Sequence, residues 1–255
     1  MENPDPFGFM GALRFNHLHP PFDDPAARRA LLPAVVQADY MAAVAGTDRS
    51  AWRDGVGFFP PGAPMASDAG LQALTGPRDP AAARRALAAV GHGGAKATLI
   101  GPTDYPNVQA LTEVGADMFR RVGLDLDCAP TDWATVVQRR ANREPAVRGG
   151  WNALFTFFSG LDFLHPGVHI LLRANGSGAW PGWPASAELE GLRAAWLEAA
   201  DPEAQRRLAT EAQRRAFADL PYVPLGRFFQ PTAYRRSLSG MLKGATVFWN
   251  IRRAG

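Results

Sequence analysis

The 255-residue sequence contains one cysteine and no long run of apolar residues. Because Cys128 has no partner within the chain, an internal disulfide and a zinc site built from several cysteines are excluded. We expect this thiol to be buried and unreactive in a strand. No apolar segment is long enough to cross a bilayer as a helix, and segment 1–5 lacks the basic and apolar regions of an export signal. The chain as written is therefore expected to be cytoplasmic.

The motifs of common catalytic and phosphate-binding sites are also missing. There is no Gly-x-Ser-x-Gly, Ser-x-x-Lys or His-Glu-x-x-His sequence, no P-loop and no Gly-x-Gly-x-x-Gly turn. The net charge is only +3, and the arginines are spread along predicted helices rather than gathered in a basic stripe. We therefore predict no enzyme, no cofactor and no nucleic-acid partner. An interaction or scaffold protein, or an enzyme without a recognisable motif, remains as the alternative.

A proline-rich turn and a capped helix lie near the start of the chain. Pro20 and Pro21 exclude helical backbone for the residues before them. Asp24 can accept hydrogen bonds from the first turn of a helix, and Pro25 suits the first helical position. Pro33 should kink or divide the helix that follows, since an interior proline costs about 3 kcal/mol.

Strands and helices alternate through the middle of the sequence. Short apolar strands are predicted at Ala97–Ile100, Leu124–Cys128 and Trp151–Phe158. Helices that begin near Asp79, Pro106 and Asp132 separate or precede them. Strands joined by helices of this length pair in parallel through right-handed crossovers. The sequence thus predicts an α/β fold with a parallel core sheet flanked by helices.

A series of motifs runs through nearly the whole chain. These are Asn16–Ala30, Asp79–Gly91, Phe119–Leu124, Gly150–Asn152, Pro221–Gly226, Pro231–Arg235 and Val247–Asn250. In their order and spacing they resemble the family 5 extracytoplasmic solute-binding proteins of ABC importers, which include peptide-, nickel- and glutathione-binding members. The resemblance covers only the second half of such a receptor.

The resemblance implies a C-terminal lobe of a two-lobe periplasmic-binding-protein-like fold. Residues 1–15 would be a remnant crossover, 16–221 the ligand-binding lobe, and 222–255 a tail that completes the other lobe. The apolar segments Tyr222–Phe229 and Val247–Ile251 would then be exposed for lack of their partner. The implied function is capture of a peptide-like or other small solute in the periplasm for delivery to ABC permease subunits.

Candidate ligand-binding residues follow the last predicted strand of the core. Phe158, Ser159, Gly160 and Asp162 lie there, and a glycine after a strand lets the backbone approach a ligand closely. The resemblance implies that Asp162 holds the terminal ammonium of a peptide. The alternative is a loop residue or a local cap.

Two tryptophans lie in a glycine-rich loop beyond these residues. Trp180 and Trp183 complete the predicted ligand-binding set. They could close over a ligand, or they could pack the loop onto the domain, and the sequence favours neither interpretation.

The histidines form two closely spaced pairs, which suggests metal ligands. His165 and His169 are four residues apart, but Pro166 lies between them and no third ligand is near. His17 and His19 fit the edge of a strand better than a metal site. We predict no metal.

Overall fold

The computed structural model describes residues 5–242, 244 and 247–253. Within them, the main sheet contains β1 (Phe9–Phe15), β2 (Trp52–Arg53), β3 (Lys96–Pro102), β4 (Asp125–Thr131), β5 (Ala153–Ser159) and β6 (Val223–Phe228). Their order across the sheet is β2-β6-β1-β5-β3-β4, and β7 (Leu238–Ser239) and β8 (Arg252–Arg253) form a separate pair. The helices are α1 (Pro25–Ala30), α2 (Gln37–Ala45), α3 (Gln72–Thr75), α4 (Pro80–Ala89), α5 (Pro106–Arg121), α6 (Trp133–Arg139), α7 (Ala187–Glu198) and α8 (Pro202–Asp219).

The predicted parallel core is confirmed. Strand β3 pairs in parallel with both β4 and β5. Helix α5 packs on one face of these strands, so closely that a Cβ added at Gly115 would collide with the ring of Phe155. Helix α6 packs on the other face, where Val136 joins Ile100 and Leu154 in a small apolar cluster. Helices therefore cover both faces, as the alternation of strands and helices predicts.

Strands β1 and β6, which are the first and last strands of the main sheet in chain order, correct the predicted domain limits. Strand β1 lies inside the sheet and pairs antiparallel with both β5 and β6. Residues 9–15 are therefore not a remnant of another lobe, and residues 223–228 are not an orphaned tail. Strand β1 belongs to the core of this lobe because both of its faces are buried, and Met10, Ala12, Leu13 and Phe15 have no exposed surface. For residues 230–242, 244 and 247–253, the predicted role as a tail of the other lobe stays a prediction.

The local signals at helix ends act as expected. Asp24, Asp79, Asp132 and Asp201 each accept a hydrogen bond from a backbone N–H in the first turn of the helix that follows. Pro33 lies in a 3-10 helix that separates α1 from α2, so the division predicted there is confirmed. No helix within the described ranges combines the length and the apolar character needed to cross a membrane.

Candidate functional site

The candidate site lies at one edge of the main sheet. Strands β3, β4, β5 and β6 run in the same direction and end at this edge, and β1 begins there, with Phe9 opposite Ser159 and Phe228. We call it the carboxyl edge, defined by Pro102, Thr131, Ser159 and Phe228. Ligands of open α/β sheets bind beyond the carboxyl ends of the strands, so the fold brings the predicted residues to a suitable position.

The side chains of Phe158 and Trp180 are in contact. The ring of Trp180 meets the ring of Phe158 edge-on, with 5.9 Å between the centroids, and Phe158 also contacts Phe163 at 5.8 Å. Both Phe158 and Trp180 are partly exposed. They form an aromatic surface behind the carboxyl edge.

Ser159 and Gly160 have local structural roles. The Ser159 hydroxyl accepts a hydrogen bond from the Leu161 N–H at 3.2 Å and caps the 3-10 helix Gly160–Phe163. The Gly160 N–H donates to the Gly8 carbonyl at 2.7 Å, and a Cβ at Gly160 would lie 2.6 Å from the Phe7 carbonyl oxygen. The close approach that requires a glycine here is made by the chain itself.

Asp162 is an exposed carboxylate beside the carboxyl edge. Among the described residues it forms no ion pair within 4.0 Å. Partial burial raises the pKa of Asp162, and a hydrogen bond from the Ser159 backbone opposes that shift. An acceptor without a cationic partner can bind an ammonium group from outside the chain.

Trp183 does not join the other predicted residues. It is only 5% exposed and packs against Trp151, with 6.2 Å between the ring centroids. The guanidinium of Arg143 covers its ring at 5.0 Å. Trp183 therefore packs its loop onto the domain, and its predicted contact with a ligand stays a prediction.

A buried arginine that the sequence analysis missed holds the tryptophan loop against the sheet. Arg14 of β1 has no exposed surface. Its guanidinium donates to the carbonyls of Leu171, Trp180, Pro181 and Pro221 at 2.7–3.0 Å. Burial lowers the pKa of Arg14 to about 9. The signal available in the sequence was a single charged residue within an otherwise apolar strand.

Three further aromatic residues gather at the carboxyl edge and were also missed. Tyr105 contacts Trp133 at 5.2 Å and Phe157 at 5.6 Å between ring centroids. Asp104 accepts a hydrogen bond from the Trp133 N–H at 2.7 Å, which ties the loop after β3 to the loop after β4. We call Tyr105, Trp133 and Phe157 the edge aromatic cluster. Each lies at or just after the end of a core strand, and that position was the signal available in the sequence.

The histidines serve as packing groups. His169 donates through Nε2 to the Phe58 carbonyl at 2.9 Å, and the same nitrogen lies 3.1 Å from the Tyr222 hydroxyl; burial lowers the pKa of His169 to about 3. His165 instead stacks on Trp196 at 4.6 Å. Within the described ranges, no group of three or more histidines, cysteines and acids is placed to hold a metal ion.

The predicted burial of Cys128 is wrong. Its strand, β4, forms the outer edge of the sheet, and the thiol is exposed. The Arg120 guanidinium donates to its sulfur at 3.3 Å. Alternation in the sequence identified the strand, but an edge position leaves one side of it open to water.

Comparison with known proteins places the chain in a family. A profile described as bacterial extracellular solute-binding proteins, family 5, middle region, matches residues 3–166. The chain belongs to this family. It is 31% identical over 243 residues to a probable peptide ABC transporter periplasmic-binding protein of Sinorhizobium fredii, covering 95% of this chain and 46% of that one.

Solved structures of two peptide-binding proteins share the fold. DppA of Helicobacter pylori, in complex with the peptide STSA, has a TM-score of 0.79 at 17% identity, over 99% of this chain and 48% of that one. A dipeptide-binding protein from Pseudoalteromonas in complex with Met-Leu has a TM-score of 0.76 at 20% identity, over 98% and 49%. The chain thus spans about half the length of these relatives, as expected for one lobe.

Proposed function

We propose that this chain forms one lobe of an extracytoplasmic solute receptor that captures a peptide-like ligand for an ABC importer. The ligand would contact the carboxyl edge and be enclosed by a second lobe, as in hinge closure of binding proteins. The receptor would then deliver its ligand to permease subunits in the membrane. This assignment agrees with the names of the relatives, which describe peptide-binding periplasmic proteins.

The unpaired carboxylate of Asp162 carries the proposal. It lies near the carboxyl edge, where Phe158, Trp180 and the edge aromatic cluster gather, and among the described residues it forms no ion pair within 4.0 Å. A peptide offers an ammonium group for the carboxylate and apolar side chains for the rings. A charge-assisted hydrogen bond of this kind contributes about 1.5–3 kcal/mol.

The test compares an amine-bearing dipeptide with its blocked form. We expect Met-Leu to shift backbone NMR signals near Asp162 and Tyr105 in the isolated chain, weakly because half a cleft leaves the ligand exposed. N-acetyl-Met-Leu should bind about 10- to 100-fold more weakly, which corresponds to the loss of one charge-assisted bond. The substitution Asp162→Asn should remove that difference.

Asp68→Asn is the matched control, because Asp68 is an exposed carboxylate in the loop before α3, outside the candidate site. This variant should keep the preference for the free amine. Equal binding of both peptides by the unsubstituted chain would remove Asp162 from the site. If Met-Leu perturbed no signals at the carboxyl edge, the proposed ligand surface would be wrong.

A further inference from the structure

A cavity lies at the opposite end of the sheet from the candidate site. It has a volume of about 530 Å³ and lies between the turn after β1, the loop after α6, the loop before α7 and the end of α8. His17 and Pro221 in its wall adjoin the end of β1 and the start of β6, where Phe15 pairs with Ala153. Because β5 is seven residues long, this cavity is about 20 Å from the carboxyl edge.

Every wall of this cavity, which we call the amino-edge cavity, comes from the chain itself. The size is within the range of small-molecule sites. Its apolar lining includes Leu18, Pro25, Trp183 and Pro184. A ligand there would need no second lobe, so its binding is independent of the proposed function.

The charges that line the cavity are unequal. Arg28, Arg143 and Arg215 oppose Asp23 and Asp219. Arg28 is directed to the carbonyls of Phe22, Asp23 and Asp219. Arg215 binds Asp219 and Glu188. These two guanidinium groups are therefore engaged within the protein.

Arg143 has guanidinium N–H donors that remain available to a ligand. It is exposed, and among the described residues it has no acidic partner. One of its nitrogens donates to the Ser177 carbonyl at 2.9 Å, and its guanidinium lies over Trp183. His19 donates to the Arg143 carbonyl at 2.7 Å, which joins the two sides of the cavity.

The electrostatic environment favours an anion over a cation. The positive charges of Arg28 and Arg14 both lower the pKa of His17 in the cavity wall, in addition to the larger effect of burial. A planar guanidinium held on an aromatic face matches the geometry of a carboxylate. The apolar lining beside it suits a hydrocarbon group.

We propose that the amino-edge cavity binds a small carboxylate with an apolar side group, held by Arg143 through its carboxylate and by Trp183, Pro184 and Leu18 through its hydrocarbon part. Such a ligand would occupy the lobe without competing for the carboxyl edge.

The test is an NMR titration of the chain with three probes: N-acetyl-L-leucine, L-leucinamide and inorganic phosphate. We expect saturable shifts around Arg143 and Trp183 with N-acetyl-L-leucine alone. Arg143→Gln should weaken this binding at least about 10-fold, as expected for one charge-assisted bond. Asp162→Asn should leave it unchanged, which separates this site from the proposed function.

Arg148→Gln is the matched control, because Arg148 is exposed, pairs with Glu144 and does not line the cavity. It should retain the affinity of the unsubstituted chain. A bulky residue in the wall, Ala185→Trp, should block binding even with Arg143 intact. Comparable binding of leucinamide or phosphate, unchanged affinity in Arg143→Gln, or no binding of N-acetyl-L-leucine would each overturn the proposal.

Discussion

Two apolar segments near the end of the chain have similar compositions and opposite environments. In the first, Tyr222, Val223, Leu225 and Phe228 are at most 1% exposed. In the second, Phe248 is 73% exposed and Trp249 is 89% exposed. Both segments were expected to be exposed together, and the structure confirms this only for the second.

The difference comes from strand pairing. Residues 223–228 form β6, which lies between β1 and β2 and packs beneath α2. Residues 247–251 pair with no strand of the main sheet within the described chain. Apolar composition therefore indicates that a segment needs a partner, but it does not identify the partner or the sheet that provides it.

Shortening a side chain in the first segment should have the largest effect. Leu225 is fully buried against β1, where a Cβ at Gly11 would lie 3.3 Å from the Leu225 Cβ. Leu225→Ala should reduce the free energy of unfolding by about 2–5 kcal/mol, since it leaves a cavity in the core. Urea unfolding followed by circular dichroism measures this change.

Leu197→Ala is the matched control, because Leu197 is 64% exposed on α7. Its effect should stay within about 0.5 kcal/mol. Equal effects at the two positions would mean that β6 is not part of the core.

Lowering the pH should reduce the free energy of unfolding, because a buried histidine contacts the first segment. His169, which contacts Tyr222, is neutral in the folded protein because burial lowers its pKa from 6.5 to about 3. Below pH 6.5 the unfolded chain gains a proton that the folded chain does not, so stability is present above this pH and falls as the pH decreases toward 3. The contribution of His169 to the slope should approach about 1.4 kcal/mol per pH unit.

Urea unfolding between pH 7 and 5 measures that slope, since ordinary carboxylates remain largely ionised there. His169→Gln should reduce the slope. His17, whose pKa burial also lowers, should supply the remainder. A slope that is identical in the variant would show that His169 has the same pKa in the folded and unfolded states.

Truncation in the second segment should have the smallest effect. Trp249→Ala should change the free energy of unfolding by less than about 0.5 kcal/mol, because an exposed ring loses little on truncation. The difference fluorescence spectrum between the two chains should be red-shifted and readily quenched by acrylamide. A blue-shifted, protected difference spectrum from a monomer would place Trp249 in a packed environment.

The candidate site was partly predictable from sequence. A glycine and an acid after an apolar strand located the carboxyl edge, and Trp180 does reach Phe158. The edge aromatic cluster escaped because its members come from three separate elements, namely β5, the start of α6 and the loop before α5. Gly160 was misread because the nearby backbone that requires a glycine belongs to Phe7, which is distant in sequence.

The sequence by itself determined the local features of this protein. Asp-Pro helix starts and the division at Pro33 follow from interactions between near neighbours, and the alternation of strands and helices predicted the parallel pairing of three strands. Only the tertiary structure decided that β1 lies inside the sheet, that Arg14 joins four distant carbonyls, and that the amino-edge cavity forms between four separate segments. These features depend on contacts between residues more than 100 positions apart in the chain, and no local pattern encodes which distant segment will supply the partner.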